Sequence, residues 1–430
     1  MGFSVRLSLL SMLFVIWIMG GFHVYPQQRS STNHSHTTID STQSLQTLLD
    51  KQQQTTSSGD PAAVAASSQL LTELAAKQID ETHAAQRRSG LSVEQAKSLR
   101  VREHRLRQIL ANGFNDWGTA EAREQRYGDA LKHFQEAEHW GASTPALMRN
   151  LGTAAFQIEN YEESARALTI AVSANPGDER GRLMLAMSQF SLEKFTQAEN
   201  NFAPISKLTM QDTRTAYAWA YSLTRTHQPL QANAIADILS KRDVPSDVRL
   251  LVCKLYTASE TFERAAACLQ SLAIQNPSMA DVHYELGTTL IRLDRPAEAI
   301  VELQTELKLD PQDLDAKYYL AFAMLETQQK ESAIPLLRSV LTINPNYPEA
   351  QYQLGKVLLD QGLVDEATRH LETAAKLDPD NAIVHYQLQI AYRRMGRQED
   401  AMRELNRYKD LKASQRNSVA IPERQQTKQP

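Results

Sequence analysis

The stretch KLDPQDLDAKYYLA at Lys308–Ala321 returns as INPNYPEAQYQLGK at Ile343–Lys356 and as KLDPDNAIVHYQLQ at Lys376–Gln389. Each begins with Asp-Pro or Asn-Pro and then places a Tyr and a Leu at one spacing. Pro277, Pro311, Pro345 and Pro379 stand 34 residues apart, and Pro176 lies 101 residues before Pro277, three periods less one residue. A fixed period of this length signals stacked repeats rather than one globular core.

Setting each Pro at place 32 divides the chain into repeats that begin at Ala111, Pro145, Glu179, Thr213, Ser246, Ala280, Leu314, Pro348 and Ala382. Place 8 is small in most of them, as in Gly152, Ala186, Gly287, Ala321 and Gly355. Place 20 is Ala130, Ser164, Ala198, Ala232, Ala265, Ala299, Ala333, Ala367 and Ala401, with no large residue. Each repeat therefore reads as two helices over about places 2–14 and 18–31, crossing where a branched side chain would push axes apart that pack at ~8 to 10 Å. Proline at place 32 cannot continue the second helix, and it bends the preceding residue out of helical geometry.

These residues resemble the tetratricopeptide repeat, over about Ala111 to Gln415. The resemblance implies an all-α fold, a right-handed superhelical solenoid of about nine antiparallel helix pairs. Repeats six to eight fit best. Repeat three has Pro204 inside its second helix, repeat four lacks the closing Pro, and repeat five has Cys253 at place 8. The resemblance also implies that first helices line a concave face through places 2, 5, 9, 12 and 13. Place 5 holds Tyr217, Tyr284, Tyr318, Tyr352 and Tyr386, a ladder of phenols suited to gripping an extended peptide. The carboxylate clamp of some relatives finds only Asn150 and, loosely, Arg180 among Asn115, Thr119, Asn150, Arg180 and Met184, so a chaperone-tail adaptor is disfavoured. Arg149, Arg180 and Arg182 remain as cations that would attract acidic segments.

Outside the repeats, residues 1–26 read as a signal peptide or signal anchor. Arg6 precedes an apolar run from Leu7 to Met19, and counting Phe22, Val24 and Tyr25 brings residues 7–25 to about the 18 to 20 residues of a membrane span. Cleaved signal and retained anchor both fit. Either would place the repeats outside the cytosol, periplasmic, secreted or membrane-anchored. Residues 27–60, rich in Ser, Thr and Gln, read as a flexible linker. It contains His34, His36 and the sequon Asn33-His34-Ser35, which matters only where exported proteins are glycosylated. Residues 61–110 read as a helical cap or worn repeat, with Asp60-Pro61 and Ser92/Gln95 as helix starts. Residues 111–415 are the array, and 416–430 a disordered polar tail.

The 430 residues carry 46 basic and 50 acidic groups, net −4, a balance that recruits no nucleic acid. Motifs for zinc proteases, phosphate-binding loops, nucleophile elbows and dinucleotide folds are absent, so no enzyme, cofactor or metal site is expected. His283 and His385, both at place 4, read as structural. Cys253 and Cys268 fall on the first and second helices of one repeat and read as buried free thiols, with a bond open to them in an oxidising compartment. The sequence thus points to a non-enzymatic scaffold for protein or peptide partners. The competing expectation is an accessory subunit of a membrane-associated enzyme complex, such as one for glycan synthesis, with catalysis on another chain. Self-association through the end of the stack is a further possibility.

Overall fold

The structure is a computed structural model that describes residues 44–279 and 281–420. The apolar segment 1–26, linker residues 27–43 and tail residues 421–430 lie outside the described residues. Among the described residues every regular element is helical. The chain divides into two bodies at Ile235/Ala236.

The N-terminal body runs through α1 (Leu45–Ser58), α2 (Pro61–Gln86), α3 (Val93–Arg123), α4 (Tyr127–His139), α5 (Pro145–Gln157), α6 (Tyr161–Ala174), α7 (Glu179–Ser191), α8 (Phe195–Phe202), the short α9 (Ser206–Thr209) and α10 (Thr213–Arg225). The division falls inside α11 (Pro229–Leu239). The C-terminal body continues through α12 (Ser246–Ala258), α13 (Phe262–Gln275), α14 (Val282–Arg292), α15 (Pro296–Leu309), α16 (Leu314–Glu326), α17 (Lys330–Ile343), α18 (Pro348–Asp360), α19 (Val364–Leu377), α20 (Ala382–Arg394) and α21 (Gln398–Ala420).

The small residues at place 8 have a single steric cause. A Cβ on Gly152 would lie 2.6 Å from Leu168, on Gly287 2.6 Å from Leu303, and on Gly355 2.7 Å from Leu371. Each of those leucines stands at place 24, so the second helix seats one large side chain on the bare backbone of the first. The place-20 residues Ala265, Ala299, Ala333 and Ala367 are fully buried, as are Ala186 and Ala321 at place 8. Close packing then leaves no room for a further methyl group.

The turn between the paired helices also repeats. Place 15 is left-handed in every repeat: Gln125, Glu159, Glu193, His227, Glu260, Asp294 and Gln328 have φ between 56° and 65°, and Gly362 and Gly396 have φ of 82° and 77°. The left-handed residue lets the next amide reach back and close the helix end, as Gln329 N–H does to the Met324 carbonyl at 2.7 Å.

The Asp-Pro and Asn-Pro junctions are fastened twice. The Asp310 and Asn344 side chains accept from the backbone N–H two residues on, at 3.0 and 3.1 Å. The prolyl carbonyl is then bonded from place 4 of the next repeat: by Arg182 to Pro176 at 3.2 Å, His283 to Pro277 at 3.1 Å, Gln351 to Pro345 at 2.8 Å and His385 to Pro379 at 2.9 Å. The same four side chains reach place 23 of their own second helix, at Asn201, Glu302, His370 and Glu404. Three side-chain chemistries thus satisfy one exposed carbonyl and fix the angle at which the next helix starts.

Four expectations are corrected. The linker read over residues 27–60 ends earlier, because Leu45–Ser58 is helical: Ser44 caps it, Leu48 is 1% exposed against Leu71, Ile79 and Leu106, and Gln52 donates to Ser68 and Asp116. Its Gln and Thr residues hid a leucine stripe at helical spacing. The expected boundary at 110/111 is absent, since α3 runs unbroken from the capping box at Ser92/Gln95 into the first helix of repeat one; no breaker separates them. Helix α21 continues to Ala420, past the expected start of the tail at 416. Cys253 and Cys268 are bonded rather than free, with Cα atoms 5.5 Å apart, because places 8 and 23 of repeat five face each other across the helix crossing. Pro204 does break its helix, giving a 3-10 turn at Ala203–Ile205.

The candidate peptide-binding face

The first helices of each body present the side chains that resemblance assigned to a binding face. The tyrosine ladder does not form that surface as a whole. Tyr217, Tyr284 and Tyr318 are buried, at 6 to 8% exposure, because place 5 points into the seam between neighbouring first helices. Tyr284 meets Tyr319 of the next repeat edge-on at 5.9 Å, and Tyr318 packs on Tyr347 at 5.2 Å. Burial pushes the Tyr318 phenol up, so it stays a neutral packing group. Tyr352 is half-buried. Tyr386 alone of the five is open, at 43%, with Tyr408 5.2 Å away.

What the C-terminal body displays lies one step along the helix. Tyr319 at place 6 and Phe322 at place 9 on α16, and Tyr347 at place 34 just before α18, are half-buried. The Tyr319 phenol is pushed up to about 12, first by burial and then by Asp315, with Glu349 and Glu285 adding to it and Arg292 opposing. Asp315 accepts from the Tyr347 hydroxyl at 2.8 Å, and Glu285 pairs with Lys254 at 2.5 Å. Glu349 makes no hydrogen bond or ion pair among the described residues. Aromatic rims flanked by carboxylates suit an extended chain with polar and cationic side chains. Sequence reasoning missed Tyr319, Phe322 and Tyr347 by following one recurring letter at place 5; burial periodicity would have assigned that place to the seam.

In the N-terminal body the cations sort into committed and available. Arg149 is committed: its guanidinium holds Asp178 at 2.5 and 3.3 Å, which keeps that carboxyl below the usual range, and Asp178 in turn caps α7 by accepting from Gly181 N–H. Asn150 is half-buried beside it, and Arg180 is exposed with no hydrogen bond or ion pair among the described residues. Of the clamp candidates, Thr119 donates to the Asn115 carbonyl one turn back on the same helix at 2.8 Å, Asn115 points its amide at Asp116, and Met184 packs beside the cluster of Leu168 and Leu185. Arg225 lies over the Phe195 ring at 4.8 Å. No clamp geometry assembles from these residues.

Among the described residues no group of three or more metal-ligating side chains occurs, and no helix is long and apolar enough to cross a membrane. His283 and His385 are spent on the junctions described above.

Two family models of the tetratricopeptide repeat match residues 115–179, 149–201 and 254–313 and residues 290–351, 331–372 and 358–417, together more than half of the chain. The chain belongs to the tetratricopeptide repeat family. No curated protein matches it. Solved structures similar to it include a crystal structure of MamA, 22% identical over 38% of this chain and 96% of that one, TM-score 0.36. Another is MamA 41-end from Desulfovibrio magneticus RS-1, 22% identical over 40% and 96%, TM-score 0.37. A third is YrrB, described as a TPR protein with an unusual peptide-binding site, 23% identical over 39% and 86%, TM-score 0.35. A protein built from these repeats is a scaffold for protein–protein interaction.

Proposed function

We propose that the chain holds extended segments of partner proteins on its first-helix faces, outside the cytosol, without catalysing a reaction on them. The observation that carries the reading is the half-buried row Tyr319, Phe322, Tyr347 and Tyr352, flanked by carboxylates that the chain's own cations only partly neutralise. Rigid aromatic side chains on helices supply contact area at small entropic cost. The YrrB description is consistent with a peptide as occupant. The extracytoplasmic setting is supported by the Cys253–Cys268 bond, since such bonds persist in oxidising compartments.

The test is photocrosslinking in cells with a photoreactive residue at Tyr319 or Tyr352, compared with Val301 on a second helix, which is 59% exposed. Discrete protein adducts from the first two sites and none from Val301 are expected. Adducts from Val301 alone would remove the reading. Thiol alkylation of the cellular protein without reductant tests the compartment: free thiols at Cys253 and Cys268 would argue against export.

A further inference from the structure

The N-terminal body carries a second charged surface, apart from its first-helix face. In the first half of α3, Lys97, Arg100, Arg102 and Arg105 are all exposed. At 100° per residue Lys97, Arg100 and Arg105 lie on the side away from Leu99, Leu106 and Leu110, with Arg102 at the edge of the leucine stripe, and Arg87 and Arg88 follow the end of α2 in the same exposed turn region. No carboxylate pairs with any of these side chains among the described residues. The partly buried acid next to them, Glu103, is taken by Arg107 at 3.0 Å and His83 at 3.3 Å; Glu94 is exposed at the helix start. Several arginines elsewhere are paired, as Arg166 is with Glu138 and Arg338 with Glu366. Val93 and Val101 on the same side are 87% and 63% exposed.

Arg102 and Arg105 also line a cavity of about 330 Å³ together with Ser44 and Gln78, over Leu49 and Leu106. The two guanidinium groups and the Gln78 amide are the donor types that phosphate oxygens take up, and the leucines beneath are the type of surface that the attached carbons take up. Ser44, on the rim of this cavity, follows the apolar run 7–25 closely in the sequence. The 18 residues between Tyr25 and Ser44 span at most about 60 Å when extended. An apolar segment at 7–25 lodged in a bilayer would therefore hold this surface close to the head groups.

We propose that this cationic surface docks on an anionic bilayer, with a lipid phosphate seated between Arg102 and Arg105. Lipid is favoured over nucleic acid because exposed valines, not aromatic stacking platforms, accompany the cations. The docking is independent of peptide binding on the first helices.

The experiment uses the full chain with p-benzoylphenylalanine at Val101, mixed with vesicles of phosphatidylcholine alone or with about one-third phosphatidylglycerol. Lipid adducts at least about tenfold more abundant with the anionic vesicles are expected, each cation contributing roughly fivefold. The combined variant Lys97→Gln, Arg100→Gln, Arg102→Gln, Arg105→Gln should lose that excess while keeping the helical circular dichroism of the parent, because all four side chains are exposed. Equal adducts from both vesicles, or an excess that survives in the variant, would overturn the proposal. So would suppression by millimolar inorganic phosphate, which would leave a free-anion pocket only, or preferential crosslinking to an added single-stranded DNA.

Discussion

The two bodies share one backbone device and differ in what they hang on it. Both seat a large side chain at place 24 on a small residue at place 8, Leu168 on Gly152 in the N-terminal body and Leu371 on Gly355 in the C-terminal one. Their first-helix faces diverge. The N-terminal body displays Arg180, with Arg149 tied to Asp178, Arg225 laid over Phe195 and Asp116 tied to Gln52; the C-terminal body displays Glu349 and Asp315 among tyrosines, with Glu285 tied to Lys254. The difference teaches that the repeat fixes only the places that pack, and that chemistry is free to drift at places 2, 6, 9 and 13.

The harshest test of the shared device is to fill it in each body. Gly152→Leu and Gly355→Leu each force a side chain into space already held by a leucine, at a cost of about 3 kcal/mol or more. Hydrogen exchange read by mass spectrometry should show lost protection in whichever body carries the substitution. Damage in only one body would mean that the two do not rest on the same contact.

The next test concerns how the C-terminal body tolerates its irregular repeat. Repeat five replaces the small residue at place 8 with Cys253 and closes a 15-residue loop to Cys268. Reduction, or Cys253→Ser with Cys268→Ser, should lower stability by about 3 kcal/mol, with protection lost first in α12 and α13. The N-terminal body has no such staple at its own irregular repeat, broken at Pro204, and should keep its protection. An unchanged melting temperature after complete reduction would show that the packing of Leu250, Leu269 and Leu272 suffices alone.

Acid should separate the bodies further. In the N-terminal body Arg149 holds Asp178 below its usual value, so the stabilisation is present above the unfolded-state value and is lost as pH falls through the lowered folded one. In the C-terminal body burial lifts Glu306, which accepts from the Asp281 and Tyr284 amides at the start of α14. Its contribution is complete below the unfolded-state value and is lost as pH rises through the raised one. Taking pH below about 3.9 should therefore reduce the protection factor at the start of α7, whereas lowering it only from about 7 to about 4.5 should raise the protection factor at the start of α14. Glu306→Gln should abolish the second effect, and Asp178→Asn the first.

How far these devices could be read beforehand follows from what each leaves in the sequence. Packing at places 8 and 20 leaves a letter, Gly or Ala, every 34 residues, so the helix pairs and their crossings were visible. Place 5 also leaves a letter, Tyr, but the letter does not say whether a ring faces solvent or seam; Tyr284 and Tyr318 face the seam. Helix α1 was masked by the Gln and Thr on its outer side, although Leu45, Leu48 and Leu49 mark its inner one. The Cys253–Cys268 bond needed the register of two helices in one repeat, which spacing alone does not supply.

The smallest expected effect tests the one device that leaves almost no letter at all. Place 15 is left-handed in both bodies, yet only Gly362 and Gly396 occupy it with the residue that tolerates it freely. Gln125→Gly in the N-terminal body and Gln328→Gly in the C-terminal one relieve a left-handed side chain at the expense of a looser unfolded chain, a net gain of about 0.5 kcal/mol each. That corresponds to a rise of about 1 to 2 °C in melting temperature. Gly362→Gln should cost a similar amount, since nothing lies within 4 Å of a Cβ there and backbone strain is the only penalty. Equal and opposite shifts would show that this turn is a conformational requirement shared by both bodies; a larger loss at Gly362 would mean that the turn there also makes a contact its counterparts lack.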